Sequence, residues 1–309
     1  MPQSTNLNKS PYFDDFSEDK NYYKVLFKPG TTVQSRELTT LQSILQNQIE
    51  KFGTAFYTNG GVVIPGASNY DGNFTCVEIE STYKGIDVEV YYESLVGKTI
   101  KGKVTGISAK VVKVLSKEDS ERTNTTLYLK YISSSDNSDA DSFVKEVFDD
   151  GEELITLSDI PVGDSYIFTN SEFARVIALS NRKATSVGSA ANLTEGVYFV
   201  RGYFIGVDNS TIILDQYTNT PSYRVGLEIV EDIIDSDEDS SLNDNAQGFS
   251  NYAAPGADRL KITLNLSKRA IDDFNDDNFI ELFRVSNGII SSIKKNDQYA
   301  FINDILARR

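Results

Sequence analysis

The stretch RLKITLNL, Arg259 to Leu266, decides the fold class. Leu260, Ile262, Leu264 and Leu266 fall on alternate positions, and successive side chains of an extended chain point to opposite faces. The segment therefore reads as a strand with one apolar face, because a helix would scatter those four side chains around its circumference.

The same period of two continues to either side. GVVIPG (61–66), FTCVEIE (74–80) and IDVEVYY (86–92) are strand-like, the last with Ile86, Val88, Val90 and Tyr92 on one face. KTIKGKVTGISAKVVKVLS (98–116) and TTLYLKYISSS (125–135) read as arms of an antiparallel sheet around a polar tip, KEDSERTN (117–124). In GVYFVRGYFIGVDNSTIILDQY (196–217) the pattern predicts a strand over 197–206, a turn at Asp208-Asn209 and a returning strand over 211–217. SYRVGLEIVEDII (222–234) continues the sheet text, whereas SYIFTNSEFARVIAL (165–179) mixes the two periods and receives no assignment. SSSDNSDAD (133–141) has loop composition and marks an internal boundary. From Asp235 to Asp258 there is no apolar period, yet Leu242, Phe249 and Tyr252 are spread through it, as in an ordered and functional loop. The closing NDQYAFINDILARR (296–309) reads as a short helix.

One segment breaks the β pattern. In VLFKPGTTVQSRELTTLQSILQNQIEKFGTAFYTNGG (25–61), Pro29-Gly30 makes a turn and Thr31 with Gln34 has capping-box spacing. Val33, Leu38, Leu41, Ile44, Leu45, Ile49 and Phe52 then recur at helical spacing up to Gly53, a natural stop, so the helix is expected to bury that stripe. Its other face carries Gln42, Gln46, Asn47 and Gln48 beside Arg36, Glu37, Glu50 and Lys51. Neutral amides donate and accept hydrogen bonds, which makes Gln42, Gln46 and Gln48 candidate contacts with a partner. Residues 1–24 are polar with isolated aromatics, Tyr12, Phe13, Phe16, Tyr22 and Tyr23, and read as an extended arm that docks on its own fold or on a neighbour. The expectation is a mainly β protein of antiparallel sandwich-like or barrel-like domains. It divides into an arm (1–24), a helix segment (25–60), a β domain (61–160) and a second β-rich domain (161–309).

Composition excludes several classes of function. The chain of 309 residues carries 45 acidic and 30 basic side chains, net charge -15, and such a surface repels nucleic acid and anionic lipid. No apolar run reaches the roughly 18 residues that span a bilayer, and the start has no secretion-signal pattern. Zero histidines remove Ser-His-Asp and Cys-His catalysis and the usual zinc and iron centres. Cys76, the single cysteine, reads as a packing residue. GKTIKGK lacks the leading glycine of a phosphate loop, and no carboxylate pair stands out as a glycosidase pair. Asp235, Asp237 and Asp239 begin like an EF-hand loop, but Ser240 stands where glycine is needed and Ala246 where a bidentate Glu is needed, leaving at most a loose calcium site. Lys98, Lys101, Lys103, Lys110, Lys113 and Lys117 cluster, whereas residues 226–257 hold no Lys or Arg. That asymmetry suits either complementary docking or protection of an edge strand.

SPYFDDFSEDKNYYKVLFKPGTTVQSRELTTLQSILQNQIEKFG (10–53), YRVGLEIVEDII (223–234), DNAQGFSNYAAPGADRLKI (244–262) and INDILARR (302–309) together resemble a family of tailed-bacteriophage structural proteins of the marine and cyanophage type. Its members are usually labelled baseplate or tail-fibre proteins. The resemblance implies a virion protein made in a host cytoplasm, without catalytic residues or cofactor, whose partners are other tail, baseplate or fibre proteins. It also implies a homo-oligomer, with three copies as the expected count. The rival expectation is a host-surface module that binds or cleaves glycan through tyrosine faces and a carboxylate pair.

Overall fold

The computed structural model describes residues 3–134, 145–163 and 166–293; the expected terminal helix and most of the 133–141 loop lie outside them. The chain is mainly β, in antiparallel sheets, with one α-helix among the described residues, Ser35–Thr54, hereafter α1.

The largest sheet has eight strands. Six of them pair in the order Glu172–Arg175, Glu153–Thr156, Thr99–Gly102, Ser108–Leu115, Thr126–Tyr131 and Ser68–Glu78. The two ends of that row then meet. Ile79 bridges Val176, the Glu80 amide donates to the Arg175 carbonyl at 2.9 Å, and the Ile177 amide donates to the Glu78 carbonyl at 3.1 Å. The six strands thus close into a barrel, which leaves no free edge within the ring. Val77, Ile79, Ile100, Leu127, Leu154, Phe168 and Phe173 fill it, so this core draws on residues either side of position 160. The segment of mixed period, 165–179, supplies two short strands, Tyr166–Phe168 and Glu172–Arg175.

The segment IDVEVYY departs from its alternation. Only Ile86–Asp87 is extended, and Val88–Val90 and Tyr92–Leu95 are 3-10 turns. The Asp87 carboxylate accepts the Glu89 amide at 3.0 Å and starts the turn. Turning places Val88, Tyr91 and Leu95 together in the barrel core, where the Tyr91 hydroxyl donates to the Phe173 carbonyl at 2.6 Å. Core burial outweighs the alternating pattern here.

Ser68–Glu78 also pairs with Thr185–Leu193, which pairs with Ser210–Asp215, and these carry the sheet out of the barrel to a second core. A three-stranded sheet (Gly61–Ile64, Gly196–Val200, Tyr203–Val207) and a four-stranded one (Arg259–Ala270, Tyr223–Ile234, Phe279–Ser286, Ile289–Ile293) complete it. RLKITLNL is the first two-thirds of Arg259–Ala270, which pairs with Tyr223–Ile234 without a break from Ile234↔Arg259 to Tyr223↔Ala270. Tyr198, Val200, Leu214, Val225, Leu227, Leu264, Ile280 and Val285 pack together between the sheets. The strand expected over 197–206 is itself a hairpin: Arg201 (φ 50) and Gly202 (φ 81) are both left-handed and form its turn. Ser210–Asp215, expected to return beside it, joins the eight-stranded sheet instead.

α1 has the expected length, but its start and its orientation differ from the sequence reading. The capping box is Gln34 with Glu37, three residues beyond the expected one, and the Gln34 amide donates to Glu37 Oε2 at 3.0 Å. The buried residues of α1 are Ile44, Asn47 and Gly53, whereas Leu38, Leu45, Ile49 and Phe52 are exposed. Of the stripe expected to face the core, Ile44 is buried and Leu41 half-buried as expected, but Leu38, Leu45, Ile49 and Phe52 face outward. Gly53 explains how the helix is seated: a Cβ there would lie 2.4 Å from the Phe199 ring, so only glycine admits this approach to the strand.

Candidate functional site

The N-terminal arm docks on the polar side of α1. Asp14 is fully buried, and its carboxylate accepts hydrogen bonds from Thr40 Oγ1 at 2.9 Å, from Ser43 Oγ and from the Phe16 amide at 3.2 Å. Thr40, Ser43 and Asn47 recur at helical spacing, a small polar stripe that receives the arm where the longer apolar side chains do not. Glu18 pairs with Lys51 one turn further along. At the start of the arm, the Ser4 amide, the Thr5 amide and the Thr5 hydroxyl donate to the Glu231 carboxylate at 3.0, 2.8 and 2.7 Å. Burial alone would push the Glu231 carboxyl up; these donors and the Arg201 guanidinium instead hold it down at about 2. Arg201 also donates to the Asp277 carbonyl at 2.8 Å and to Asn278 at 2.5 Å, and its own amide donates to Asn59 at 2.9 Å.

Between arm, helix and sheet lies a cleft of about 840 Å³, lined among others by Gln3, Tyr12, Gln42, Gln46, Tyr203 and Asp258. The Tyr12 hydroxyl donates to Asp258 at 2.5 Å, which pushes its pKa up to about 12, and the Tyr203 hydroxyl donates to Gln3 at 2.9 Å. Gln46 is turned into its own fold, its Nε2 donating to the Gly202 carbonyl at 2.7 Å.

The outward face of α1 is a second surface open to a partner. Leu38, Leu45, Ile49 and Phe52 are 49%, 56%, 45% and 68% exposed. The strip continues through Phe56, whose ring lies 5.0 Å from that of Phe52, towards Tyr57 and the exposed Phe204, 5.9 Å apart. Among the described residues no charged side chain interrupts it: Glu50 is half-buried and Lys51 is engaged with Glu18. An exposed apolar strip of this extent marks an interaction surface.

The eight residues singled out from the sequence do not form one patch. Tyr12, Gln42 and Gln46 meet in the cleft. Phe16, Tyr22, Tyr23 and Gln48 gather on the far side of the helix beside Ile44 and Asn47, and Phe13 joins neither group. Phe13, Tyr22, Tyr23, Gln42 and Gln48 are exposed, and Tyr12, Phe16 and Gln46 are half-buried. The open residues that periodicity does not single out are Leu38, Leu45, Ile49 and Phe52, whose helical spacing is the same as that of a core stripe. The signal that exposes them is the second polar stripe, Thr40, Ser43 and Asn47, together with the nearby acid Asp14.

Other candidate chemistry resolves into structure. Cys76 is fully buried and its thiol is pushed up to about 12 by burial. Asp235 accepts the Asp237 and Glu238 amides at 2.9 and 3.1 Å, and Asp239 accepts the Ser241 amide at 2.9 Å, so these carboxylates cap turns. Among the described residues, no three Asp, Glu or Cys side chains converge as a metal site and no helix is long and apolar enough to cross a membrane.

The model of one protein family, described as Domain of unknown function (DUF4815), matches residues 10–126 and 181–309. No curated protein and no solved structure matches the chain.

Proposed function

The chain belongs to the DUF4815 family, and from that premise we propose that it is a non-catalytic structural component of a tailed-phage virion, a baseplate or tail-fibre subunit acting by protein–protein assembly. The observation that carries the assembly reading is the uncharged apolar strip on α1, with four large side chains left in solvent by a fold that had a helix face free to bury them. Leaving that area wet costs on the order of 25 cal/mol per Å² of apolar surface relative to covering it, and a partner recovers that cost. The virion setting is supported by the resemblance of the arm, helix and 244–262 loop to tail structural proteins. On this reading the chain works as a closed symmetric homo-oligomer, of three copies, attached to other tail proteins.

The test is mass spectrometry of purified virions from the phage that encodes the chain. The expected result is its presence at a fixed copy number relative to the tail-tube protein. Finding it only in the soluble fraction of infected cells refutes the proposal.

A further inference from the structure

The strip on α1 has a repeat finer than amphipathicity. Leu38, Gln42, Leu45, Ile49 and Phe52 are spaced by four, three, four and three residues, the 3.5-residue period by which one helix packs along another. In that register Leu38, Leu45 and Phe52 occupy one set of core positions, and Gln42 and Ile49 the other. The remaining sides of α1 are occupied by its own chain. Asp14 and Glu18 of the arm take Thr40, Ser43 and Lys51, while Phe199 and the Gly202 carbonyl take Gly53 and Gln46. Among the described residues the face bearing the repeat is uncovered, and at its flank Leu38 and Gln42 also line the cleft beside the arm.

We propose that this face is a parallel, in-register seam between copies of this chain, with the Gln42 amides hydrogen-bonded to one another at its centre. The proposal rests on the assembly reading above and names the partner at that site. Three observations select a second copy over a different protein. Each chain carries a net charge of -15, so copies repel broadly and meet most readily across a surface with no charge. The repeat is self-complementary: equivalent positions on parallel helices pack against each other, so each Gln42 finds an identical donor and acceptor, and a single polar core position fixes register in this way. An antiparallel or shifted pairing sets Gln42 against Leu45 or Ile49 and buries its amide unpaired. Finally, α1 is already held in place by the arm and the sheets, so a seam of only about 15 residues, roughly 22 Å at 1.5 Å per residue, does not have to order a free helix as it forms.

The native cysteine makes the test clean. Cys76 is fully buried, so a thiol introduced at residue 42 reacts alone. Light scattering of the intact wild-type chain is expected to give an integral multiple of 34.3 kDa. Under mild oxidation Gln42→Cys is expected to run mostly as a covalent dimer on a non-reducing gel, whereas Lys130→Cys, on the exposed side of the barrel, stays single. Leu45→Glu with Ile49→Glu is expected to raise the dissociation constant more than about tenfold while leaving the circular dichroism spectrum unchanged. A wild-type chain that is a monomer at tens of micromolar overturns the seam and assigns the strip to another protein. An oligomer that survives the double substitution, with Gln42→Cys uncrosslinked, overturns the seam while leaving self-assembly standing. Neither result bears on whether the chain is found in virions.

Discussion

Asp14→Ala is expected to release the N-terminal arm from α1 without unfolding either β core. The carboxylate is fully buried and accepts three hydrogen bonds, with no cation paired to it among the described residues. Hydrogen bonds to a charged group contribute about 1.5–3 kcal/mol each, so three of them set a ceiling well above the net effect. Two offsets reduce it. The Thr40 and Ser43 hydroxyls can turn to carbonyls of the preceding helical turn, as Thr39 does onto Ser35 at 3.3 Å. The substitution also removes the cost of keeping a carboxylate dry. The expected loss is about 3 kcal/mol in docking, a roughly hundredfold shift towards the free arm. Hydrogen exchange reads it directly. The Tyr12, Phe13 and Asp14 amides, which donate within the arm to Lys9 and Leu7, should exchange about a hundredfold faster, while core amides such as that of Ile229 stay protected. Asp14→Asn should lie between. Unchanged arm exchange in Asp14→Ala, or loss of core protection along with it, refutes the argument that this carboxylate is a local clasp.

Gly53→Ala should destabilise by about 1–3 kcal/mol in thermal melting. The added Cβ meets Phe199, whose ring sits between those of Tyr57 and Phe204. Alanine otherwise favours a helix by about 1 kcal/mol over glycine, so a stabilised variant would refute the close approach. Glu78→Gln should cost about 3–5 kcal/mol in urea denaturation, because it leaves Arg122 and Arg182 without the buried carboxylate both engage; a loss under about 1 kcal/mol would show the cluster to be a surface pair. For Glu231 the folded value is depressed from 4.5 to about 2, so its contribution to arm docking is complete above pH 4.5 and is lost as pH falls from there through 2. Proteolysis of the arm by an acid-active protease should accelerate across that window in the wild type, and less steeply in Glu231→Gln, where the Glu18–Lys51 pair still responds to pH. A flat wild-type profile would sink the assignment.

Strands with one wet face were legible because alternation is local: RLKITLNL and the segments flanking KEDSERTN, Ser108–Leu115 and Thr126–Tyr131, are strands in the structure, although the first expected arm (98–116) also contains a separate strand, Thr99–Gly102. Elements whose fate depends on distant partners were not. IDVEVYY alternates, yet Asp87 caps a turn and the barrel interior takes Val88, Tyr91 and Leu95. The 197–206 run is apolar or aromatic on both faces apart from Arg201, which hides the Arg201-Gly202 turn inside what reads as a single strand. Barrel closure rests on Ile79 meeting Val176, a contact 97 residues apart that leaves no local trace. At the candidate site the helix itself was readable but its orientation was not. Periodicity identifies an apolar stripe without saying whether the rest of the chain covers it, and here Asp14 holds the opposite side.

The Arg201 turn has a mechanical consequence. Its side chain and backbone grip Ser4, Asn59, Glu231 and Asn278, four points far apart along the chain, and the next residue holds Gln46. A pull on the arm therefore loads several bonds side by side instead of peeling them in sequence. Bonds that share a load must break together, so the joint resists a force closer to their sum than to the weakest among them. Such a rivet lets tension applied at the arm reach both sheets and α1 at once.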